Sequence, residues 1–136
     1  MSKVVIYLAS GFGILETNFT VIYNDYLVPS DLNCDMLEVD LAPFDILIAS
    51  PPCNYYSRAN YRRDTSSYAL STKHLLPCIL EKFIQADKPF IIENVLNKRL
   101  MFDMINNLPF GVFYCEIGRH CFFTNINFDY SDLHFE

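Results

Sequence analysis

The fold is decided by the stretch Phe44-Asp45-Ile46-Leu47-Ile48-Ala49-Ser50-Pro51-Pro52-Cys53. Its apolar run from 46 to 49 predicts a strand that is buried on both faces, as the strands of parallel sheets are. Because proline cannot donate to a sheet ladder, the strand must end at Ser50. Cys53 then follows beyond the carboxyl end of the strand, where open α/β sheets bind their ligands. These positions predict either a nucleophilic Cys53 at the sheet edge or a small buried thiol.

A second apolar strand, Phe90-Ile91-Ile92-Glu93-Asn94-Val95, also carries polar side chains where it ends. The carboxyl ends of parallel strands meet at one edge of a sheet, so we expect Glu93 and Asn94 to lie close to Cys53. A thiol and a carboxyl group on neighbouring strand ends can attack and protonate one ring.

The two stretches together resemble the DNA (cytosine-5) methyltransferases, in which Pro-Cys follows one buried strand and Glu-Asn-Val follows the next. Here the motifs stand as Ser50-Pro51-Pro52-Cys53, with Ser57-Arg58-Ala59 downstream, and as Glu93-Asn94-Val95. The resemblance covers residues 4–126 and implies a truncated, Rossmann-like fold that uses S-adenosylmethionine (SAM). It implies methyl transfer to C5 of cytosine in DNA through a covalent bond between Cys53 and C6.

The resemblance also assigns catalytic roles. Glu93 would bind or protonate N3 of the cytosine, and Asn94 would hold the loop of Cys53 through amide hydrogen bonds. Arg119, in the pattern Gly118-Arg119-His120 rather than the family's Gln-x-Arg-x-Arg, would contact the cytosine carbonyl oxygen.

A cofactor site is implied along the first half of the chain. The glycine turn after the first strand would approach the methionine part of SAM, Asp25 the ribose hydroxyls, and Asp35 the adenine amino group. Only ten residues separate Gly13 from Asn24, which is short for a helix and a strand. We therefore expect either a first crossover helix of about one turn or a shifted second strand. The cofactor-binding residues that the resemblance implies are Ser10, Gly11, Phe12, Gly13, Asp25, Asp35 and Pro51.

The charge distribution bears on nucleic-acid binding. A net charge of −6 argues against strong nonspecific attraction to DNA. The segment from residue 54 to residue 73, however, contains four cationic side chains and only one carboxylate, Asp64. This segment is either a solvated loop or a surface for phosphates and stacked bases. The candidate nucleic-acid-binding residues are Tyr55, Ser57, Arg58, Arg62 and Arg63.

The order of elements predicts an α/β fold with a mostly parallel sheet and an antiparallel hairpin at its edge. Helical spacing of apolar residues predicts helices over 72–86 and 97–108, and apolar runs predict hairpin strands over 112–117 and 121–126. We expect one domain over residues 1–128 and an acidic tail over 129–136.

Several classes are excluded by composition. No apolar run reaches the ~18 residues of a membrane span, and the N-terminus does not resemble a secretory signal, so we expect a protein of the bacterial or phage-infected cytoplasm. The five cysteines are scattered without zinc-like spacing, so we expect no metal.

Three functions remain open on the sequence alone. The first is a minimal cytosine methyltransferase, of the compact kind expected from a phage, whose sequence specificity would come from a partner chain, be minimal, or not exist. The second is C5 modification of a free pyrimidine nucleotide, since that chemistry also begins with a thiolate adding to C6. The third is an inactive methyltransferase-like module that binds DNA or protein.

Overall fold

The computed structural model describes residues 3–11, 13–52 and 67–127. Six strands lie in this part of the chain: β1 (Val4–Leu8), β2 (Thr20–Tyr23), β3 (Ile46–Ala49), β4 (Phe90–Val95), β5 (Phe113–Ile117) and β6 (His120–Thr124). The helices are α1 (Ser67–Thr72), α2 (Leu75–Ala86) and α3 (Phe102–Asn106), with a 3₁₀ turn at Met36–Glu38. The predicted tail over 129–136 lies outside the described residues.

All six strands form one mixed sheet in the order β2-β1-β3-β4-β6-β5. The first four strands are parallel, whereas β6 runs antiparallel to both β4 and β5. This confirms the predicted α/β sheet with a hairpin at one edge, an arrangement found in Rossmann-like folds. The chain leaves β1 toward β2 but leaves β3 toward β4, so the order reverses between β1 and β3. Ligands of open α/β sheets bind at such a reversal, beyond the carboxyl ends of the strands.

The described hydrophobic core lies between α2 and one face of the sheet. Alternate residues of the central strands point to this face, as the two-residue period of a strand requires. The rings of Phe83 in α2 and Phe90 in β4 lie 5.7 Å apart between their centroids. Pro77 falls in the first turn of α2, where its missing N–H has no intrahelical partner to lose. The buried residues where α2 packs on the central strands are Ile6, Leu8, Leu47, Ala49, Phe90 and Ile92 from the strands and Leu76, Ile79, Leu80 and Phe83 from α2.

Two lysines, Lys82 in α2 and Lys88 two residues beyond its end, bind the segment that leads into β3. The Lys88 ammonium donates to the carbonyl oxygens of Leu41, Ala42 and Phe44 at 2.8, 2.9 and 2.6 Å. Lys82 donates to two further carbonyl oxygens, at 2.7 and 2.6 Å. Partial burial lowers the pKa of Lys82 from its usual range. These contacts give the irregular segment the backbone partners that a strand or helix would supply.

The predicted helix over 97–108 is wrong in extent, because α3 covers only Phe102–Asn106. The amide N–H of Leu96 donates to the carbonyl oxygen of Arg119 at 3.0 Å, so the pairing of β4 continues beyond its last residue. At the other end, the Asn107 side chain donates to the carbonyl of Asp103 at 2.6 Å. This local bond competes with continuation of the helix, and Pro109 follows.

The connection from β1 to β2 contains no helix within residues 11 and 13–19, the part that is described. The second strand nevertheless forms after this short connection and pairs in parallel with β1. Leu15 donates its amide N–H to the Tyr23 hydroxyl at 3.1 Å, so the loop lies along β2. Among the described helices, none is long and apolar enough to cross a bilayer.

Candidate active site

A cleft of about 680 Å³ opens where the strand order reverses. Its walls come from the loops that follow β1, β2 and β3 and from the end of β4. The N-terminal end of α2 closes another side, at His74 and Leu75. Predicted site residues that line this cleft are Ser10, Gly11, Asp25, Asp35, Pro51, Glu93 and Asn94.

The turn after β1 brings the backbone to the cleft. Ala9 has φ of 53° and Gly11 has φ of 57°, and the left-handed region is strained for alanine but not for glycine. A Cβ atom on Gly13 would lie 3.0 Å from the Ser10 carbonyl oxygen, so a side chain here would require the backbone of the turn to shift by a few tenths of an ångström. The amide of Gly13 donates to that oxygen at 2.9 Å, which closes the turn.

Asn24, at the end of β2, ties the loops of the cleft together. It is fully buried, and its Oδ1 accepts from the amide of Ala9 at 3.2 Å. Its Nδ2 donates to the carbonyl oxygens of Leu32 and Cys34 at 2.9 and 3.0 Å. Asn24 therefore fixes the strained turn after β1 against the segment that carries Asp35. Asn24 is not among the predicted site residues, because no local pattern in the sequence reveals its burial.

The two aspartates predicted to bind the cofactor also organise their own loops. Asp25 Oδ2 accepts from the amide of Gly11 at 2.8 Å, while Oδ1 accepts from the amides of Leu27 and Val28 at 2.9 and 3.0 Å. Asp35 caps the 3₁₀ turn by accepting from the amide of Leu37 at 2.9 Å. A carboxylate oxygen has more than one lone-pair site, so both groups can still accept from a ligand in the cleft.

Asn94 links β4 to the loop that precedes Cys53. It is 1% exposed, and its Nδ2 donates to the carbonyl oxygen of Pro51 at 3.4 Å. Its Oδ1 accepts from the amide of Val95 at 2.8 Å. β3 and β4 are adjacent and parallel, with Ala49 opposite Ile92. The ends of the two strands, from which both sequence motifs extend, therefore lie side by side.

Glu93 forms a hydrogen bond with His120, which is not among the predicted site residues. His120 Nδ1 and Glu93 Oε1 are 2.7 Å apart. Arg119, the predicted partner of the cytosine, lies on the turn between β5 and β6 with an exposed side chain. The antiparallel pairing of β4 with β6 brings His120 to Glu93. No local pattern in the sequence shows which strand the hairpin pairs with.

Several predicted residues lie outside the part of the chain that the structure describes. These residues are Phe12, Cys53, Tyr55, Ser57, Arg58, Arg62 and Arg63. Their roles stay predictions, and so does the role of Arg119. The loop that leads to Cys53 enters the cleft at Pro51 and Pro52, which both line it.

The charge of the described cleft lining is acidic. Asp25, Asp35 and Glu93 line it, whereas no lysine or arginine does so among the described residues. Tyr26 presents an aromatic ring that is 73% exposed. Within residues 3–11, 13–52 and 67–127, no group of three or more His, Cys, Asp or Glu side chains could hold a metal ion.

No protein-family model matches this sequence, and a search of curated proteins finds no match. The structure defines the class at the level of the fold: an α/β protein with a mixed six-stranded sheet and a cleft at the point where the strand order reverses.

Proposed function

We propose that this protein is a SAM-dependent methyltransferase that acts on C5 of cytosine in DNA, with Cys53 as nucleophile. One observation carries the proposal: Glu93 and Asn94 share a cleft with Pro51 and Pro52, the residues that lead into Cys53. The hydrogen bond from Asn94 to the Pro51 carbonyl joins the two motifs directly. Neither motif alone predicts this contact, since each occurs in many unrelated sequences.

The lining of the cleft favours SAM over a dinucleotide. SAM carries two positive charges, on a sulfonium and an ammonium group, and an acidic cleft lined by Asp25 and Asp35 attracts such a ligand. The direct contacts expected of the two carboxylates remain the ribose hydroxyls for Asp25 and the adenine amino group for Asp35. A pyrophosphate is held by a glycine turn followed at once by a helix N-terminus. Among the described residues between β1 and β2, none is helical. The N-terminal end of α2 suits a single anionic group, such as the SAM carboxylate. The exposed ring of Tyr26 offers a stacking surface for adenine.

SAM would supply the methyl group, and the residues of the chain would prepare the pyrimidine. The Cys53 thiolate adds to C6 while Glu93 delivers a proton to N3, so the ring gains no net charge. Asn94, which donates to the Pro51 carbonyl oxygen, would hold the start of the Cys53 loop. Cytosine C6 is inaccessible in a stacked duplex, so the base must be flipped out or lie in a single strand. The predicted contacts to the polymer are Tyr55, Ser57, Arg58, Arg62 and Arg63, with target recognition supplied by a partner chain.

The proposal is tested by methyl transfer from radiolabelled SAM to duplex DNA, single-stranded DNA and dCMP. We expect incorporation into DNA, and about a 100-fold lower rate for Glu93→Gln, since a positioned acid contributes 10²–10⁴-fold. Glu81→Gln, which alters an exposed carboxylate on α2, should leave the rate unchanged.

The other possible outcomes of the methyl-transfer and SAM-binding measurements each point to a different function. Incorporation into dCMP alone would assign a nucleotide-modifying enzyme. SAM binding by calorimetry without transfer to any acceptor, with and without cell extract as a source of a partner chain, would refute the catalytic proposal. Absence of SAM binding would leave the inactive binding module.

A further inference from the structure

The contact between Glu93 and His120 is set by the sheet. In the β4–β6 ladder, Glu93 lies opposite Phe122 and Val95 lies opposite His120. Residues two positions apart share a face of the sheet, so Glu93 and His120 are diagonal neighbours within reach of each other. The contact therefore depends on the register of the hairpin rather than on a chance rotamer.

The geometry of the pair is that of a strong hydrogen bond. A separation of 2.7 Å between Nδ1 and Oε1 lies at the short end of the range for N–H···O hydrogen bonds. The side chains of His120 and Glu93 are 32% and 29% exposed, so water screens the pair only in part. Glu93 lines the cleft whereas His120 does not. The imidazole thus contacts the carboxyl group from outside the substrate space.

We propose that His120 is a positioning residue for Glu93, which fixes the carboxyl group and determines which of its oxygens meets the pyrimidine. This inference rests on the proposed function. Nδ1–H donates to Oε1, so Oε1 acts as an acceptor and the transferable proton resides on Oε2. When the Cys53 sulfur bonds to C6, the Oε2–H bond breaks and an N3–H bond forms. The negative charge passes from the thiolate to Glu93, where the Nδ1–H of His120 stabilises it.

Two substitutions separate positioning from a merely structural role. His120→Asn keeps an N–H donor near the place of Nδ1, whereas His120→Leu removes the donor and retains an apolar side chain of moderate size. We expect His120→Leu to lower kcat about 10-fold, a part of the 10²–10⁴ that a positioned acid contributes. KM for DNA and the affinity for SAM should stay unchanged, and His120→Asn should recover most of the lost kcat.

A second readout does not depend on catalysis. The tautomer of a neutral imidazole follows from the hydrogen bond that it makes, so the ¹⁵N resonances of His120 should show a proton on Nδ1. In Glu93→Leu, which has no acceptor, the ring should shift toward the tautomer with the proton on Nε2.

The outcomes are distinguishable. An active wild type with an equally active His120→Leu, or a His120→Asn no better than His120→Leu, overturns the role of His120 alone. A wild-type imidazole with its proton on Nε2 and none on Nδ1 does the same. A wild type that transfers no methyl group overturns the proposed function and this inference with it. If His120→Leu does not fold, His120→Asn and the wild-type resonances decide.

Discussion

Replacing Asn24 by alanine should destabilise the protein and loosen its cleft together. The side chain is fully buried and makes three hydrogen bonds to the backbone, with Ala9, Leu32 and Cys34. A hydrogen bond contributes about 1 kcal/mol net, and a buried partner left without one costs about 1–3 kcal/mol. Because water can reach some of these groups after truncation, we expect the free energy of unfolding to fall by about 3 kcal/mol.

Urea denaturation measures this loss. With an m value of about 2 kcal/mol/M, a loss of about 3 kcal/mol lowers the midpoint by about 1.5 M. Asn33→Ala is the matched control, since the Asn33 amide also donates to the backbone, at 2.8 Å to Val28 and 3.3 Å to Asp25, but from an exposed position. Its cost should stay below about 1 kcal/mol, because water replaces the lost bonds. An equal loss of unfolding free energy in the two variants would refute the conclusion that the buried Asn24 side chain holds the loops together through its hydrogen bonds.

Three further outcomes are expected. Lys88→Met should lower the free energy of unfolding by about 2 kcal/mol because three carbonyl oxygens lose their donor. Lys98→Met is the control: it breaks the surface ion pair between Lys98 Nζ and Glu116 Oε1, which are 2.9 Å apart, and should cost less than about 1 kcal/mol in the same urea assay. Burial raises the pKa of Cys121 from its ordinary 9.0 to about 12, so only the unfolded thiol ionises between these values. The free energy of unfolding should therefore fall by up to about 1.4 kcal/mol per pH unit as the pH rises above 9. Urea titrations at stepped pH should show a shallower fall for Cys121→Ala. An equal fall in the two proteins would contradict the raised pKa of the Cys121 thiol. Tyr26→Ala should weaken SAM binding about 10-fold by calorimetry if its ring stacks on the adenine, and an unchanged affinity would place the adenine elsewhere.

The sequence predicted those features that depend on local chemistry. The apolar run before Pro51 gave β3 and its end, because proline cannot continue a ladder. Helical periodicity gave α2, and the apolar runs around Gly118 gave the β5–β6 hairpin. These features require only the residues that form them, so a single sequence contains the necessary information.

The remaining features depend on contacts between distant segments. The hairpin lies with β6 next to β4, and this long-range pairing alone brings His120 to Glu93. Asn24 was overlooked because its role follows from complete burial among three loops, which no local pattern reveals. The helix predicted over 97–108 was too long, because the spacing of apolar residues carries no information on the backbone pairing of Leu96 with Arg119. Register and burial are properties of the assembled sheet, whereas periodicity describes one segment at a time.

The most direct test of the central claim is a covalent trap. The protein is incubated with SAM and DNA that contains 5-fluorocytosine, and adducts are measured by intact mass and denaturing gel. Because fluorine at C5 cannot leave as a proton does, the Cys53–C6 bond should persist after methyl transfer. We expect an adduct of protein and methylated DNA that requires SAM and is absent in Cys53→Ser. No adduct from the wild type, or an equal adduct from Cys53→Ser, would contradict the assignment of Cys53 as the nucleophile of a cytosine methyltransferase.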